Sequence, residues 1–303
     1  MNILVTGISG YVGSRLVPRL LRDGHSVRGL SRYPGAPTEV PVVRGDAVTG
    51  AGLDRALEEV EVAYFLIHSM EPSPDGSFSD RDRAAAENFA LAAKAAGTRR
   101  IVYLGGIVPV GGPASVHLAS RLEVEETLLA ATPDSVAFRA SIVIGAGSRS
   151  FRFLVRLVER LPVLTLPAWR TRRTAPIDER DIIELLARAA SNEQISGQSL
   201  DAGGPEEVAY GELIDRIRHH LLLGRATISL RRLTVTPIAS RIAAVIAGED
   251  HELIGPLMES LGEDLLATND RAAQVLGVRL HSLDSAIEHA LRELEGTEPL
   301  AAR

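Results

Sequence analysis

Residues 2–17 read Asn-Ile-Leu-Val-Thr-Gly-Ile-Ser-Gly-Tyr-Val-Gly-Ser-Arg-Leu-Val, and this stretch decides the fold. Residues 2–6 form a short apolar run of the kind that makes a strand buried on both faces. Gly7, Gly10 and Gly13 follow at spacing three. Beyond them Val12, Leu16, Val17, Leu20 and Leu21 recur at helical spacing as far as Arg22 and Asp23. Strand, glycine turn and helix in that order are the context of a dinucleotide-binding turn. Gly7 permits a tight turn, Gly10 lets a pyrophosphate approach the main chain without meeting a Cβ, and Gly13 lets the helix lie close on the strand. The helix N-terminus then offers N–H groups and the positive end of a dipole to the phosphates. Ser9, Tyr11 and Val12 stand in the same turn and join the three glycines as expected cofactor contacts. The alternative is a tight strand-to-helix turn that holds no ligand.

The next strand, residues 26–31, ends where the adenosine ribose of such a cofactor belongs. A turn selective for NAD usually has a carboxylate there to take the 2′-hydroxyl. This chain has Arg28, Ser31 and Arg32, and no acid before Glu39. An arginine fork suits a 2′-phosphate, so NADP(H) is expected over NAD(H), with Ser31 and Arg32 as contacts. Residues 40–44 read as a third strand, followed by Gly45-Asp46-Ala47. Asp46 stands either to bond the adenine amine or to begin a turn, and Ala47 is expected beside it.

Composition narrows the function classes. The 303 residues, 45% hydrophobic and 24% charged, are those of a soluble globular protein with a sizeable core. A formal charge of −6 argues against nucleic acid or an anionic membrane as partner, and leaves a small-molecule substrate. With no cysteine there is no disulfide framework, thiolate nucleophile or cysteine-held metal. No apolar leader precedes the first strand and no run reaches membrane-spanning length, so a cytoplasmic location is expected. Lys94 is the sole lysine, so any lysine chemistry must use it.

Residues 62–67 read as a fourth buried strand ending at His68-Ser69-Met70. An irregular loop, residues 71–79, leads to a helix over 80–96 that Gly97 stops. Strand five covers 100–104, Gly105-Gly106 opens a flexible loop, a helix spans 118–131, and strand six spans 135–139. Strands alternating with helices give an α/β fold, a doubly wound parallel Rossmann-type sheet over residues 1–150. Residues 151–303 read as a smaller, mostly helical C-terminal lobe that completes the pocket, with some strands returning to the core. Glu295 onward reads as a frayed tail.

At the strand ends, Ile67, His68, Leu104 and Gly105 are expected along the nicotinamide half of the cofactor. Met70, Ile107 and Ser141 are expected around the substrate. Phe151, Phe153 and Trp169 form either an aromatic pocket rim or the small core of the second lobe. Asp80 and Asp82 read as helix-start charges. His219, His220 and His251 show no metal spacing and read as solvated, and no metal is expected. Exposed helices such as residues 80–96 could pair subunits as a homodimer.

With these residues assembled, the chain resembles the extended or atypical short-chain dehydrogenase/reductases. Within them it is similar to the NmrA-like NAD(P)H-binding group, often labelled sugar-nucleotide epimerase-like. Thr6-Gly-Ile-Ser-Gly-Tyr-Val-Gly13, Gly45-Asp46, Tyr64-Phe-Leu-Ile-His-Ser-Met70 and Asn88 carry the likeness. Ile101-Val-Tyr-Leu-Gly-Gly106, Arg139-Ala-Ser-Ile-Val-Ile-Gly145, Pro176-Ile-Asp-Glu-Arg-Asp181, Gly203-Gly-Pro205 and Tyr210-Gly-Glu-Leu213 extend it over nearly the whole chain.

The resemblance implies a Ser, a Tyr as general acid, and a Lys four residues after that Tyr. This chain departs from it. None of Tyr11, Tyr33, Tyr64, Tyr103 and Tyr210 has lysine at the fourth following position, and the slot reads His117-Leu-Ala-Ser-Arg121. The Ser position after strand five holds Gly105-Gly106. Either His117 replaces the Tyr as proton donor and Arg121 replaces the Lys at the nicotinamide ribose, or the apparatus has decayed and His117 is a surface or capping residue. An imidazole titrating near neutral pH is an adequate acid, and spacing four puts both side chains on one helical face. His68, at a strand C-terminal end, is a further candidate; its alternative role is to satisfy the loop after it. The expected function is NADPH-dependent reduction of a small carbonyl, enone or quinone. The alternatives are a non-catalytic NADP(H)-binding sensor or assembly protein, and an epimerase- or dehydratase-type enzyme that uses the cofactor transiently or structurally. For a sugar nucleotide, Arg149, Arg152, Arg170, Arg172 and Arg173 could supply the diphosphate site.

Overall fold

A computed structural model describes residues 1–33, 39–68, 77–109, 111–113, 115–160, 164–166, 168–222, 227–229, 262–268, 271–297 and 300. In the first half, strand and helix alternate: β1 (Asn2–Thr6), α1 (Tyr11–Arg22), β2 (Ser26–Ser31), β3 (Val42–Arg44), α2 (Leu53–Leu57) and β4 (Val62–Phe65). Then come α3 (Phe78–Ala95), β5 (Arg100–Gly106), α4 (Val116–Ala131) and β6 (Val136–Ala140). The second half holds β7 (Val143–Ile144), α5 (Arg149–Arg160), β8 (Leu164–Leu166), β9 (Arg173–Thr174), β10 (Ile177–Asp178) and α6 (Glu179–Ala189). It continues with β11 (Gln198–Ala202), β12 (Val208–Ala209), α7 (Tyr210–His220), β13 (Thr227–Ser229), α8 (Arg271–Leu276) and α9 (Leu283–Thr297).

Seven of the strands form one parallel sheet in the order β11-β6-β5-β4-β1-β2-β3. The winding reverses at β1, whose neighbours are β2 on one side and β4 on the other. In open α/β sheets the crevice outside the strand C-termini at such a reversal is where ligands bind. Thr6 closes its floor: its hydroxyl donates to the Tyr64 carbonyl at 3.0 Å and accepts from the Leu66 N–H at 3.0 Å, tying the ends of β1 and β4 together.

Alternate strand residues face opposite layers, as a period of two requires. Ile3, Val5, Val102 and Phe138 pack toward Leu16 and Leu20 of α1 and Ile182 and Leu185 of α6. Leu4, Ala63, Phe65 and Ile101 pack toward Leu53 of α2, Phe89 of α3 and Leu128 of α4. From beyond residue 150, α6, β11 and α8 therefore join the sheet's own layers, with β11 paired parallel to β6 from Gln198↔Val136 to Ala202↔Ala140. A separate core gathers Leu154 of α5, Leu213 and Ile217 of α7, and Ile287 and Leu291 of α9.

Several predicted boundaries move for visible reasons. Gly105 and Gly106 do not open a loop; they end β5, in register with Arg139 and Ala140 of β6. Helix α3 starts at Phe78 because the Ser77 hydroxyl caps it by accepting from the Asp80 N–H at 3.2 Å. At its other end Gly97, at φ +71°, stops α3 as read from the sequence. Helix α9 runs to Thr297, past the point where a frayed tail was expected. Among the described residues, no helix is long and apolar enough to cross a membrane.

Candidate active site

The glycine turn is built tightly enough to exclude side chains. Gly7 lies at φ +63°, and a Cβ there would stand 2.8 Å from the Leu66 carbonyl oxygen. A Cβ on Gly13 would overlap the Gly7 carbonyl oxygen, and one on Gly10 would sit 3.0 Å from the same atom. Gly10 is the N-cap of α1, and no side chain caps that helix or adds an acid to its first turn. By contrast Ser77, Ser115 and Asp178 cap α3, α4 and α6. The first turn of α1 therefore presents main-chain N–H groups to an anion, beside exposed Ser9 and Gly10. These residues fit the diphosphate of a dinucleotide.

Only the main chain of Tyr11 belongs to that turn. Its phenol turns toward the second half of the chain and donates to buried Glu179, while Gly145 and Gly147 leave the room a Cβ would fill. Burial and the adjoining Glu179 carboxylate push the Tyr11 phenol well above its ordinary value, so it stays a donor. Arg15 ion-pairs Glu179 at 3.4 Å and also pairs Glu293, and His289 lies 3.7 Å from Glu179. Glu179, His289 and Glu293 converge closely enough to suit a metal, but the Arg15 guanidinium is already the cation among them.

At the ribose end, Ser31 of β2 lies in register with Arg44 of β3, and Arg32 stacks over the Tyr33 ring at 5.6 Å. The Ser31 hydroxyl donates to the Tyr33 carbonyl at 3.2 Å. Asp46 Oδ1 accepts from the Val48 N–H at 2.9 Å, which starts the turn after β3. Ala47 is buried, and the side-chain amide of Asn88 donates to the carbonyls of Ala47 and Val48 at 3.1 and 2.8 Å, fixing the loop after β3 to α3. Arg44 was missed in the sequence because only the β2–β3 register brings it beside Ser31.

Beyond the ends of β4, β5 and β6 a cavity of about 240 Å³ opens. His68, Leu104, Gly105, Ile107, His117, Arg121 and Ser141, all singled out in the sequence, line it. Ser141 also donates to the Ala175 carbonyl. Ile67 is half-buried just before His68. Met70 lies outside the described residues. Phe151 and Trp169 do not reach the cavity: both are buried in the core of the second half, Trp169 edge-on to Tyr210 with ring centroids 6.0 Å apart. Phe153 and Tyr210 supply aromatic wall instead. Lys94 is exposed in the last turn of α3 and is not part of the lining.

Two imidazoles share the cavity. His68 Nδ1 lies 2.8 Å from Asp82 Oδ2, and Asp82 is 4% exposed, so it is no solvated helix-start charge. Sequence reasoning missed this partner, although Asp82 falls on the helical stripe of Ala85, Ala86, Phe89 and Ala93, all buried. An acid on an apolar stripe is itself a signal, since buried carboxylates are paired. Burial, then Arg121, lowers the His68 pKa, against which Asp82 raises it. His117 has no such carboxylate bond among the described residues. Burial first, then Arg121 and His68, push its pKa down to about 3, against which Asp82 raises it, so the folded, cofactor-free chain favours the neutral ring. Arg121 donates to the Leu104 carbonyl at 2.8 Å and lies over the Tyr103 ring at 6.0 Å, which holds its charge at the end of β5. Elsewhere, His219 is exposed, His220 reaches Asp284 at 3.4 Å, and His251 lies outside the described residues.

Residues 3–127 match the model of the NAD dependent epimerase/dehydratase family. Over 184 residues the chain is 31% identical to a ceramide reductase of Caulobacter vibrioides, covering 59% of this chain and 57% of that one. Over 244 residues it is 26% identical to a chloroplastic divinyl chlorophyllide a 8-vinyl-reductase of Cucumis sativus, covering 71% of this chain and 57% of that one. The chain spans a little over half the length of these curated relatives. A UDP-glucuronic acid 4-epimerase of Bacillus cereus in complex with NAD shares the fold, with a TM-score of 0.73 at 17% identity over 98% of this chain and 97% of that one.

Proposed function

We propose that this chain, a member of the extended short-chain dehydrogenase/reductase superfamily, is an NADP(H)-dependent reductase of a small organic carbonyl compound. One observation carries the reading. The uncapped N-terminus of α1 at the end of β1 and the cavity beyond β4, β5 and β6 lie on the same edge of the sheet, so one extended cofactor can reach from one to the other. Main-chain N–H groups of Tyr11 and Val12 would hold the diphosphate, Ser31, Arg32 and Arg44 would hold the 2′-phosphate, and Leu104 and Gly105 would border the nicotinamide. The reductase names of the two curated relatives support the same direction of reaction.

When bound, the reduced cofactor supplies a hydride to the carbonyl carbon, and a proton completes the hydroxyl. Arg121 offsets the charge that gathers on the oxygen, and the apolar wall of Ile107, Phe153 and Leu265 excludes water. Of the two imidazoles, His68 is the proton partner, because among the described residues it alone of the pair is hydrogen-bonded to a carboxylate, Asp82, which stabilises its charged form. A second reading, a cofactor-binding protein without turnover, is favoured by the absence of any lysine from the described cavity lining. Oxidation of NADPH followed by absorbance against a panel of aldehydes, ketones and quinones separates the two. Turnover of one class, lost in His68→Gln with cofactor affinity retained, is expected. Tight NADPH binding with no turnover across the panel would favour the second reading.

A further inference from the structure

Three features of His68 belong together. It follows β4 at the reversal of the sheet, its Nδ1 is 2.8 Å from Asp82 Oδ2, and its Nε2 is buried with no hydrogen-bond partner among the described residues. A carboxylate only accepts, so the ring nitrogen facing it carries the hydrogen. A neutral imidazole has one hydrogen to place, so Nε2 is left as an unprotonated lone pair. Asp82 comes from the first turns of α3 and is itself buried, which fixes the ring in orientation as well as in tautomer.

We propose that Asp82 is a positioning residue that holds His68 as its Nδ1–H tautomer and leaves Nε2 as the atom that exchanges a proton with a substrate oxygen. Toward oxidation, Nε2 takes the proton of a substrate hydroxyl while the adjoining carbon gives up its hydride to the oxidised cofactor. Toward reduction, the carbonyl carbon gains the hydride and Nε2–H returns the proton to the oxygen. The substrate is therefore a hydroxyl–carbonyl pair, with its oxygen at Nε2. A buried lone pair without a donor is costly, and a substrate hydroxyl is the group that satisfies it. The charged and titratable groups around His68 are Asp82 on α3, His117 and Arg121 on α4, and Arg149 at the start of α5. The two arginines favour the neutral ring and Asp82 the charged one, so Asp82 alone of these keeps the proton within reach.

The oxygen's identity rests on the reductase reading; the tautomer does not. Nitrogen-15 NMR of the full, cofactor-free chain with labelled histidine reads the tautomer directly, and His68→Gln identifies the signal. Near pH 7.5 His68 is expected as Nδ1–H with Nε2 unprotonated. Asp82→Ala is expected to move the hydrogen to Nε2. Asp82→Asn, whose amide oxygen still accepts, is expected to keep the tautomer while lowering the His68 pKa by about one unit, because the charge is gone. An Nε2–H tautomer in the unmodified chain, or a tautomer indifferent to Asp82→Ala, overturns the proposal. NADPH titration of the same proteins separates the two ideas. Loss of cofactor binding from the unmodified chain sinks the reductase reading and leaves the tautomer result standing.

Discussion

The rings of His68 and His117 lie 5.1 Å apart in one cavity, yet His68 has a carboxylate at 2.8 Å and His117 has none among the described residues. Two groups of one kind, set side by side and given different environments, take different proton affinities and different roles. The proposed proton exchange is assigned to His68 for that reason, and His117 stands beside it as a ring that burial and Arg121 keep toward the neutral form.

The depressed value of His117 makes it a stability group. Its pKa falls from 6.5 to about 3 on folding, so between those values the unfolded chain binds a proton that the folded chain does not. Stability is then fully present above pH 6.5 and falls as the pH drops through that window. Denaturant unfolding at pH 7 and pH 5 should show His117→Gln losing less stability on acidification than the unmodified chain, by about 1–2 kcal/mol. Equal losses would place His117 in water.

Gly13→Ala tests the turn. Its Cβ would overlap the Gly7 carbonyl oxygen and lie 3.0 Å from the Ile8 Cα, both main-chain atoms without freedom to move aside. A loss of about 1–3 kcal/mol in unfolding free energy and the loss of NADPH binding are expected. Gly296→Ala, in α9 with nothing within 4 Å, is the control and should stabilise by about 0.5–1 kcal/mol.

Tyr11 separates structure from binding. Tyr11→Phe removes the donor to Glu179, a carboxylate whose own side chain is 4% exposed, and leaves it Arg15 at 3.4 Å. A stability loss of about 1–2 kcal/mol is expected, with NADPH affinity within a few-fold of the unmodified protein. A large fall in affinity at unchanged stability would put the phenol on the cofactor.

The ribose end is read by exchanging cofactors. Arg32→Ala and Arg44→Ala should each weaken NADPH by about tenfold, the worth of one charge-assisted contact, and leave NADH unchanged. Equal weakening of both would move these arginines off the 2′-phosphate.

The fold was legible because its signals are local. The apolar run before Gly7 and the glycine spacing fix β1 and α1, and continuous apolar strands announce a parallel sheet buried on both faces. What stayed hidden depends on pairing between distant segments. Gly105 and Gly106 look like loop residues until β6 is laid beside them. Phe151 and Trp169 stand between a pocket rim and a second-lobe core until packing with α7 and α9 places them in the core. In the site, His68, His117 and Arg121 could be named from position and residue type, but titration could not. The proton affinity of His117 follows from burial and from Arg121, and the role of Asp82 from a contact across fourteen residues. Fourteen residues is too long for a turn and too short for a hydrophobic period to reveal.

The most direct test is a calorimetric titration of the purified chain with NADPH, NADP⁺ and NADH. One saturable site that takes both NADP forms, prefers NADPH to NADH at least tenfold as one charge-assisted phosphate contact implies, and vanishes in Gly13→Ala is the predicted result. No binding of any of the three would contradict the account and leave the glycine turn a matter of packing alone.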